Sequence, residues 1–124
     1  MILCDTNVLI EFYKGNDVVN NTLNNIGLSN LGVSVVTMGE LYYGAKDKRD
    51  LARLQKHLRM LHQFQLDADI SVIFLKLMGG FVLSHKLSVP DGLIAATAIR
   101  HNIPLYTFNI KDFHYLPDIT LHKT

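Results

Sequence analysis

Met1-Ile2-Leu3-Cys4-Asp5-Thr6-Asn7-Val8-Leu9-Ile10 runs from apolar residues into a carboxylate, then through a hydroxyl and an amide back into apolar residues. A short buried strand ending in an acid, with a helix starting at once, satisfies that order. In open α/β sheets, ligands bind in the crevice outside the carboxyl ends of the strands. Asp5 is therefore expected at that edge, and the rest of the chain is read for other acids arriving there.

A first helix is expected over about Thr6 to Lys14, with Val8, Leu9, Phe12 and Tyr13 inward and Gly15 ending it. A second, near Asp17 to Ile26, closes at Gly27. Leu31 to Val36, rich in β-branched residues, reads as a buried strand. Thr37-Met38-Gly39-Glu40 has the Thr-x-x-Glu form of a capping box, so a helix is expected from there to about Ala45. From Lys48 to His62, Leu51, Leu54, Leu58 and Leu61 share one side of a helix, with Arg49, Arg53 and Lys56 on the other. Phe64 to Leu66 reads as a bend or short extended piece.

Asp69 suits the N-cap of a helix carrying Ile70, Ile73, Phe74, Leu77, Met78 and Phe81 to about His85. Gly79 and Gly80 inside it are expected to permit close packing. Ser88-Val89-Pro90-Asp91 leads into a helix that is apolar nearly all round from Gly92 to Ile99, hence buried, with Asn102 at its end. Leu105-Tyr106-Thr107 reads as a third strand, Asn109 to Phe113 as a polar turn, and Ile119-Thr120-Leu121 as a last strand. Strands alternating with helices predict an α/β fold, a mainly parallel sheet between helical layers, with residues 1–124 forming one domain.

The 124 residues are 48% hydrophobic and 19% charged, ordinary values for a globular protein. No apolar run approaches the roughly 20 residues of a bilayer span, and no secretory signal is read at the N-terminus. No membrane association is expected. The single Cys4 suits a reducing cytosol and reads as small buried filler. Twelve Lys and Arg against eleven Asp and Glu leave a net charge of +1, which names no partner. Six of the twelve cations, Lys46, Lys48, Arg49, Arg53, Lys56 and Arg59, fall in one short segment.

Four acids stand out: Asp5, Glu40, Asp91 and Asp112. Each has a structural explanation, because Asp5 and Asp91 can cap helices, Glu40 can complete a capping box and Asp112 can cap a turn. Together they are harder to dismiss, since right-handed crossovers bring all these strand-to-helix connections to one sheet edge. Clustered carboxylates repel one another and lose hydration on burial, so they must protonate or find a cation. A hard divalent ion with oxygen ligands resolves that conflict, and Mg²⁺ takes one or two carboxylates plus waters and substrate phosphates. The chemistry expected is metal-assisted phosphodiester hydrolysis. The six histidines show no metal-ligand spacing and read as surface or loop residues.

Cys4-Asp5-Thr6-Asn7-Val8-Leu9-Ile10, Met38-Gly39-Glu40-Leu41-Tyr42-Tyr43-Gly44-Ala45, Pro90-Asp91-Gly92-Leu93-Ile94-Ala95-Ala96-Thr97-Ala98 and Leu105-Tyr106-Thr107-Phe108-Asn109-Ile110-Lys111-Asp112-Phe113 resemble, in that order, the PIN domain, and within it the VapC toxins of prokaryotic toxin–antitoxin pairs. The resemblance implies a three-layer α/β/α sandwich and Mg²⁺- or Mn²⁺-dependent endoribonuclease activity on RNA. It implies that Asp5, Glu40 and Asp91 match the family's first three acids, with Asp5 and Asp91 as metal ligands and Thr6 supporting the site. Asn109 and Asp112 share the fourth position. A homodimer and a small antitoxin blocking the site are also implied.

Lys46 and Lys111, near the acids in sequence, are candidates to touch substrate phosphates, and Tyr42, Tyr43 and Phe108 to stack on a base. The basic face of the Lys48 to His62 helix stays open between solvated surface, RNA contact and protein contact. Two other functions compete. One is a PIN-like domain that binds RNA or a partner without cleavage. The other is an aspartyl-phosphate phosphatase of the haloacid-dehalogenase type, which wants an acid where Asn7 stands.

Overall fold

The computed structural model describes residues 1–123. Four short strands, Ile2–Cys4 (β1), Leu31–Ser34 (β2), His62–Phe64 (β3) and Leu105–Tyr106 (β4), form a parallel sheet in the order β3-β2-β1-β4. Six helices accompany them: Thr6–Tyr13 (α1), Asp17–Ile26 (α2), Val35–Tyr43 (α3), Lys48–Leu58 (α4), Ala68–His85 (α5) and Val89–His101 (α6). Alternate strand residues face opposite sides of a sheet, and the core divides accordingly. Leu3 and Leu105 join Ile70, Leu77, Ile94 and Phe113 on the α5–α6 side. Cys4 and Tyr106 join Val8, Leu9, Val19, Leu23 and Leu58 on the α1–α2–α4 side. The α/β/α sandwich expected from the sequence is the fold.

β1 lies between β2 and β4, in register Leu3↔Gly32 and Leu3↔Leu105. The chain winds outward from β1 through β2 to β3, then returns to the other side as β4. The β1–β4 edge is therefore the point where strand order reverses, the usual location of a ligand crevice in such sheets.

Several local expectations are corrected. The second strand stops at Ser34, whose hydroxyl caps α3 by accepting the Val36 N–H at 3.1 Å. Thr37 and Glu40 thus lie inside α3 rather than forming its capping box. The charged helix ends at Leu58, and His62–Phe64 pairs with β2 as a strand that apolar periodicity did not separate from it. Asp67, not Asp69, caps α5 by accepting the Ile70 N–H at 2.8 Å. Ile119-Thr120-Leu121 forms only a single bridge, Leu105↔Leu121.

The two glycines of α5 do not serve close packing, since a Cβ at Gly79 or Gly80 would meet nothing within 4 Å. The tight approach is at Gly92 of α6, where a Cβ would stand 3.0 Å from Met78 Sδ and 3.1 Å from Phe74 Cε1 of α5. At 18 residues, α5 is long and apolar enough to meet the lower limit for crossing a bilayer, which the sequence reading had excluded. In this fold its inner residues Ile70 and Leu77 pack into the core.

Candidate active site

Asp5 directly follows β1 and is only 4% exposed. Its backbone N–H donates to Tyr106 O at 2.9 Å, which carries the β1–β4 ladder one residue further. Each oxygen of its carboxylate accepts one hydrogen bond. Oδ1 accepts the Thr6 N–H at 2.8 Å, and Oδ2 accepts the Thr107 hydroxyl at 2.7 Å. The first bond makes Asp5 the N-cap of α1. The structural reading of Asp5 is thus true, and it does not compete with a functional one. A capping carboxylate keeps lone pairs that face the crevice, because each oxygen can accept more than one bond.

Thr107 is the functional-site residue that the sequence reading passed over as a strand end. β1 and β4 pair Cys4 with Tyr106, so the residues after each, Asp5 and Thr107, leave the sheet side by side, a placement that only the pairing reveals. Thr107 Oγ1 also accepts the Asn109 N–H at 3.0 Å. Asn109 therefore supports Asp5 through its backbone and Thr107, with its residue exposed to solvent.

Glu40 reaches the same place from α3. The Thr6 hydroxyl lies 2.7 Å from Glu40 Oε1 and 3.1 Å from Thr37 Oγ1. A threonine hydroxyl has one proton, which goes to the carboxylate, and the buried Thr37 hydroxyl completes the chain. Because α3 begins at Val35, Glu40 stands on its second turn, free of any capping duty.

Asp91 sits in the first turn of α6 but does not cap it; the Ser88 hydroxyl does, accepting the Asp91 N–H at 3.2 Å. Its side chain is half-buried and uncommitted among the described bonds. Asp112 ends a short 3-10 turn, Ile110–Asp112, on the exposed loop after β4.

The four acids share one electrostatic field. Burial pushes the Asp5 carboxyl above its ordinary value, and the nearby charges of Glu40 and Asp112 add to this, against the opposing bonds from Thr107 and Thr6. Asp91 is pushed up to about 6, first by burial, then by the charges of Asp5 and Asp112, with Glu40 adding a smaller push. No Lys or Arg forms an ion pair with any of the four among the described residues; the ion pairs join Lys14 to Glu11 and Arg100 to Asp67 and Asp69. Nor do three His, Cys, Asp or Glu side chains stand close enough, among the described residues, to enclose a metal ion by themselves. The donor set is all oxygen, negative and uncompensated, which fits a hard cation that keeps much of its water and takes one or two carboxylates. It does not fit a closed cage.

Lys46 and Lys111 each share a hollow with one of the four acids. Lys46 lines a hollow of about 320 Å³ with Ile10, Tyr13 and Glu40, and Lys111 one of about 360 Å³ with Phe108, Asn109 and Asp112. Tyr43 is 94% exposed, whereas Tyr42 packs against the core and Phe108 sets its ring edge-on to Tyr106 at 5.8 Å. Arg53 and His57 of the basic helix line a further hollow between α1 and α4 with Phe12 and Tyr13. There the Tyr13 hydroxyl lies 2.6 Å from His57 Nδ1. Burial and the Asp5 charge push the Cys4 thiol up to about 12, so it stays protonated and is core filler rather than a nucleophile.

A parallel α/β sheet with acids beside its reversal point offers oxygen donors of the kind a hard cation takes. Residues 2–118 match the PIN domain, and the chain belongs to that family. Curated protein sequences return no match. Solved structures share the fold closely. A toxin–antitoxin complex from Klebsiella pneumoniae is 29% identical with a TM-score of 0.82, over 97% of this chain and 96% of that one. VapBC2 from Rickettsia felis, bound to a DNA fragment from their promoter, is 26% identical with a TM-score of 0.84, over 98% of both chains. FitAcB from Neisseria gonorrhoeae, 24% identical with a TM-score of 0.82 over 99% and 97%, shares the fold.

Proposed function

We propose that this protein is a divalent-metal-dependent endoribonuclease, the toxin of a VapBC-type toxin–antitoxin pair, acting in the cytoplasm. What supports this reading is that Asp5 and Glu40 meet at Thr6 beside the β1–β4 edge, within the field of Asp91 and Asp112, and that no Lys or Arg pairs with any of the four among the described residues. Asp5 and Asp91 would hold Mg²⁺ or Mn²⁺ directly, and the ion would supply positive charge against a phosphate and activate a water for in-line attack. Hydrolysis joins the water oxygen to phosphorus and breaks one P–O bond of the RNA chain. One proton leaves the water and one reaches the departing oxygen.

The chain's own groups divide these tasks. Thr6 and Thr107 fix Asp5 and Glu40 so that little reorientation is needed at the moment of reaction. Glu40 and Asp112, the more exposed acids, are the ones left to take the water's proton. Lys46 and Lys111 bind phosphates on either side of the scissile bond.

The partners follow from two surfaces. The groove between α1 and α4, lined by Phe12, Tyr13, Arg53, Leu54 and His57, continues past Tyr13 and Asp50 to Glu40. A segment of the antitoxin laid there would reach the acids. The outer face of α5 exposes Val72, Leu75, Val82 and Leu83 around the open positions Gly79 and Gly80. A second copy of this chain covers that face in the homodimer.

The test is cleavage of a defined single-stranded RNA with Mg²⁺ or Mn²⁺, its arrest by chelator, and Asp5→Asn. The substitution is expected to slow cleavage by at least about 100-fold; unchanged cleavage would sink the assignment. Binding of RNA without cleavage is the second reading. It requires that RNA be retained and left whole with either metal. A phosphatase is disfavoured, because Asn7 places its amide oxygen 3.4 Å from the Phe108 N–H and offers no acid there.

A further inference from the structure

The segments that carry Asp91 and Asp112 also carry an aromatic stack that the catalytic reading does not use. His85, in the last turn of α5, lies face to face with Tyr115, their ring centres 3.8 Å apart and planes 12° from parallel. Phe81, one turn earlier, presents its ring to both, at 5.9 Å and 67° to His85 and at 5.4 Å and 57° to Tyr115. The Ser84 hydroxyl is 2.7 Å from His85 Nδ1 and fixes the imidazole from behind. Tyr115 follows Asp112 by three residues, and His85 precedes Asp91 by six. The two arms of the stack thus belong to the segments that deliver those acids. The Tyr115 phenol is within electrostatic reach of both, for after burial it is their charges that push its proton affinity up.

Anchoring does not explain this arrangement. The segment bearing Tyr115 is already held by Phe113, fully buried, and Leu116, 3% exposed, while His85 is exposed. An exposed ring held in a stack with Tyr115 is what an unpaired base needs, since every base has a π-face. A duplex cannot use it, because its bases are stacked on one another. Lys86 follows His85 directly and Lys111 precedes Asp112, so each segment of the stack also carries a cation.

We propose that the His85–Tyr115 stack seats an unpaired nucleobase of single-stranded RNA next to the phosphate held at the acids. This rests on the nuclease reading for its substrate, but not for its test. Short single-stranded RNAs carrying 2-aminopurine at successive positions are titrated with the full-length protein in chelator, so that no cleavage occurs. Stacking is expected to quench the fluorophore at one position, and the same label in a duplex is expected to stay bright.

His85→Ala should abolish that quenching and weaken binding by about 5- to 150-fold, the range for one base–aromatic stack. His85→Phe should restore both. The same quenching and affinity in His85→Ala as in wild type overturns the proposal, as does a variant that loses only thermal stability. If wild type quenches the label yet leaves RNA whole with Mg²⁺ or Mn²⁺, the platform stands and the nuclease reading falls. If it cleaves RNA but quenches at no position, the reverse holds.

Discussion

Thr6 does two jobs with one residue, its N–H on Asp5 and its hydroxyl on Glu40. Thr6→Val keeps the shape and the first bond but frees Glu40 on an exposed turn. Cleavage is expected to fall about 10- to 100-fold, as for other groups that orient a metal ligand or its neighbours. Thr6→Ser should recover most of it, and equal rates for all three would remove Thr6 from the site. Asp91 makes a different test. Its carboxyl is raised from 3.8 to about 6, so the folded protein holds that proton more tightly than the unfolded chain. The resulting stability is present below about pH 4 and is lost as pH rises toward 6. Asp91→Asn should therefore stabilise the metal-free protein at pH 7 by about 1 kcal/mol, after allowance for solvent screening, with little change at pH 4. Unfolding in urea with chelator at both pH values checks this, and destabilisation at pH 7 would contradict it. The acids were legible in the sequence because each follows a strand or opens a helix. Thr107 and Thr37 were not, because a threonine at a strand end or inside a helix has no signature until a partner 102 or 31 residues away is known.

The limits of α2 were legible, Asp17 to Ile26 with Gly27 after it, although its Asn-rich outer face blurs the pattern and its cap, Asn16, was not read. Competing caps blurred the rest. The sequence reading put caps at Thr37 and Asp69, both of which lie inside their helices; Ser34 and Asp67, a few residues earlier, cap instead. β3 was missed because His62-Gln63-Phe64 is too short to show alternation, and only pairing with β2 makes it a strand. Glycine roles were the least legible, since they depend on what lies opposite. Gly92→Ala is expected to cost about 1–2 kcal/mol by pressing α6 onto Met78 and Phe74, more than the helix propensity it gains. Gly39→Ala, in α3 where a methyl meets nothing, should instead gain about 0.5–1 kcal/mol. Denaturant midpoints for the two variants decide both, and the opposite order would show that the α5–α6 contact yields easily.

The proposed dimer is tested on the whole molecule. Leu75 is 67% exposed and Leu83 is 94% exposed on the outer face of α5. Leu75→Arg with Leu83→Arg should leave the melting of an isolated subunit nearly unchanged, because neither side chain is in the core. It should turn a dimer into a monomer in sedimentation velocity. A double variant that sediments as wild type does would move the interface elsewhere. Sheet order could not be read from the sequence at all, because alternation of strands and helices does not say on which side of β1 the last strand docks.

That docking has a consequence in time. Asp5 is oriented by Thr107, made 102 residues later. At about 5–20 residues per second, a ribosome leaves the first acid waiting roughly 5–20 s for the strand that aligns it. Until β4 inserts beside β1, the nascent chain carries its acids without the crevice that groups them, and no shorter product of interrupted synthesis can hold the assembled site. The proposed nuclease activity would thereby be withheld from any copy that stops short of β4.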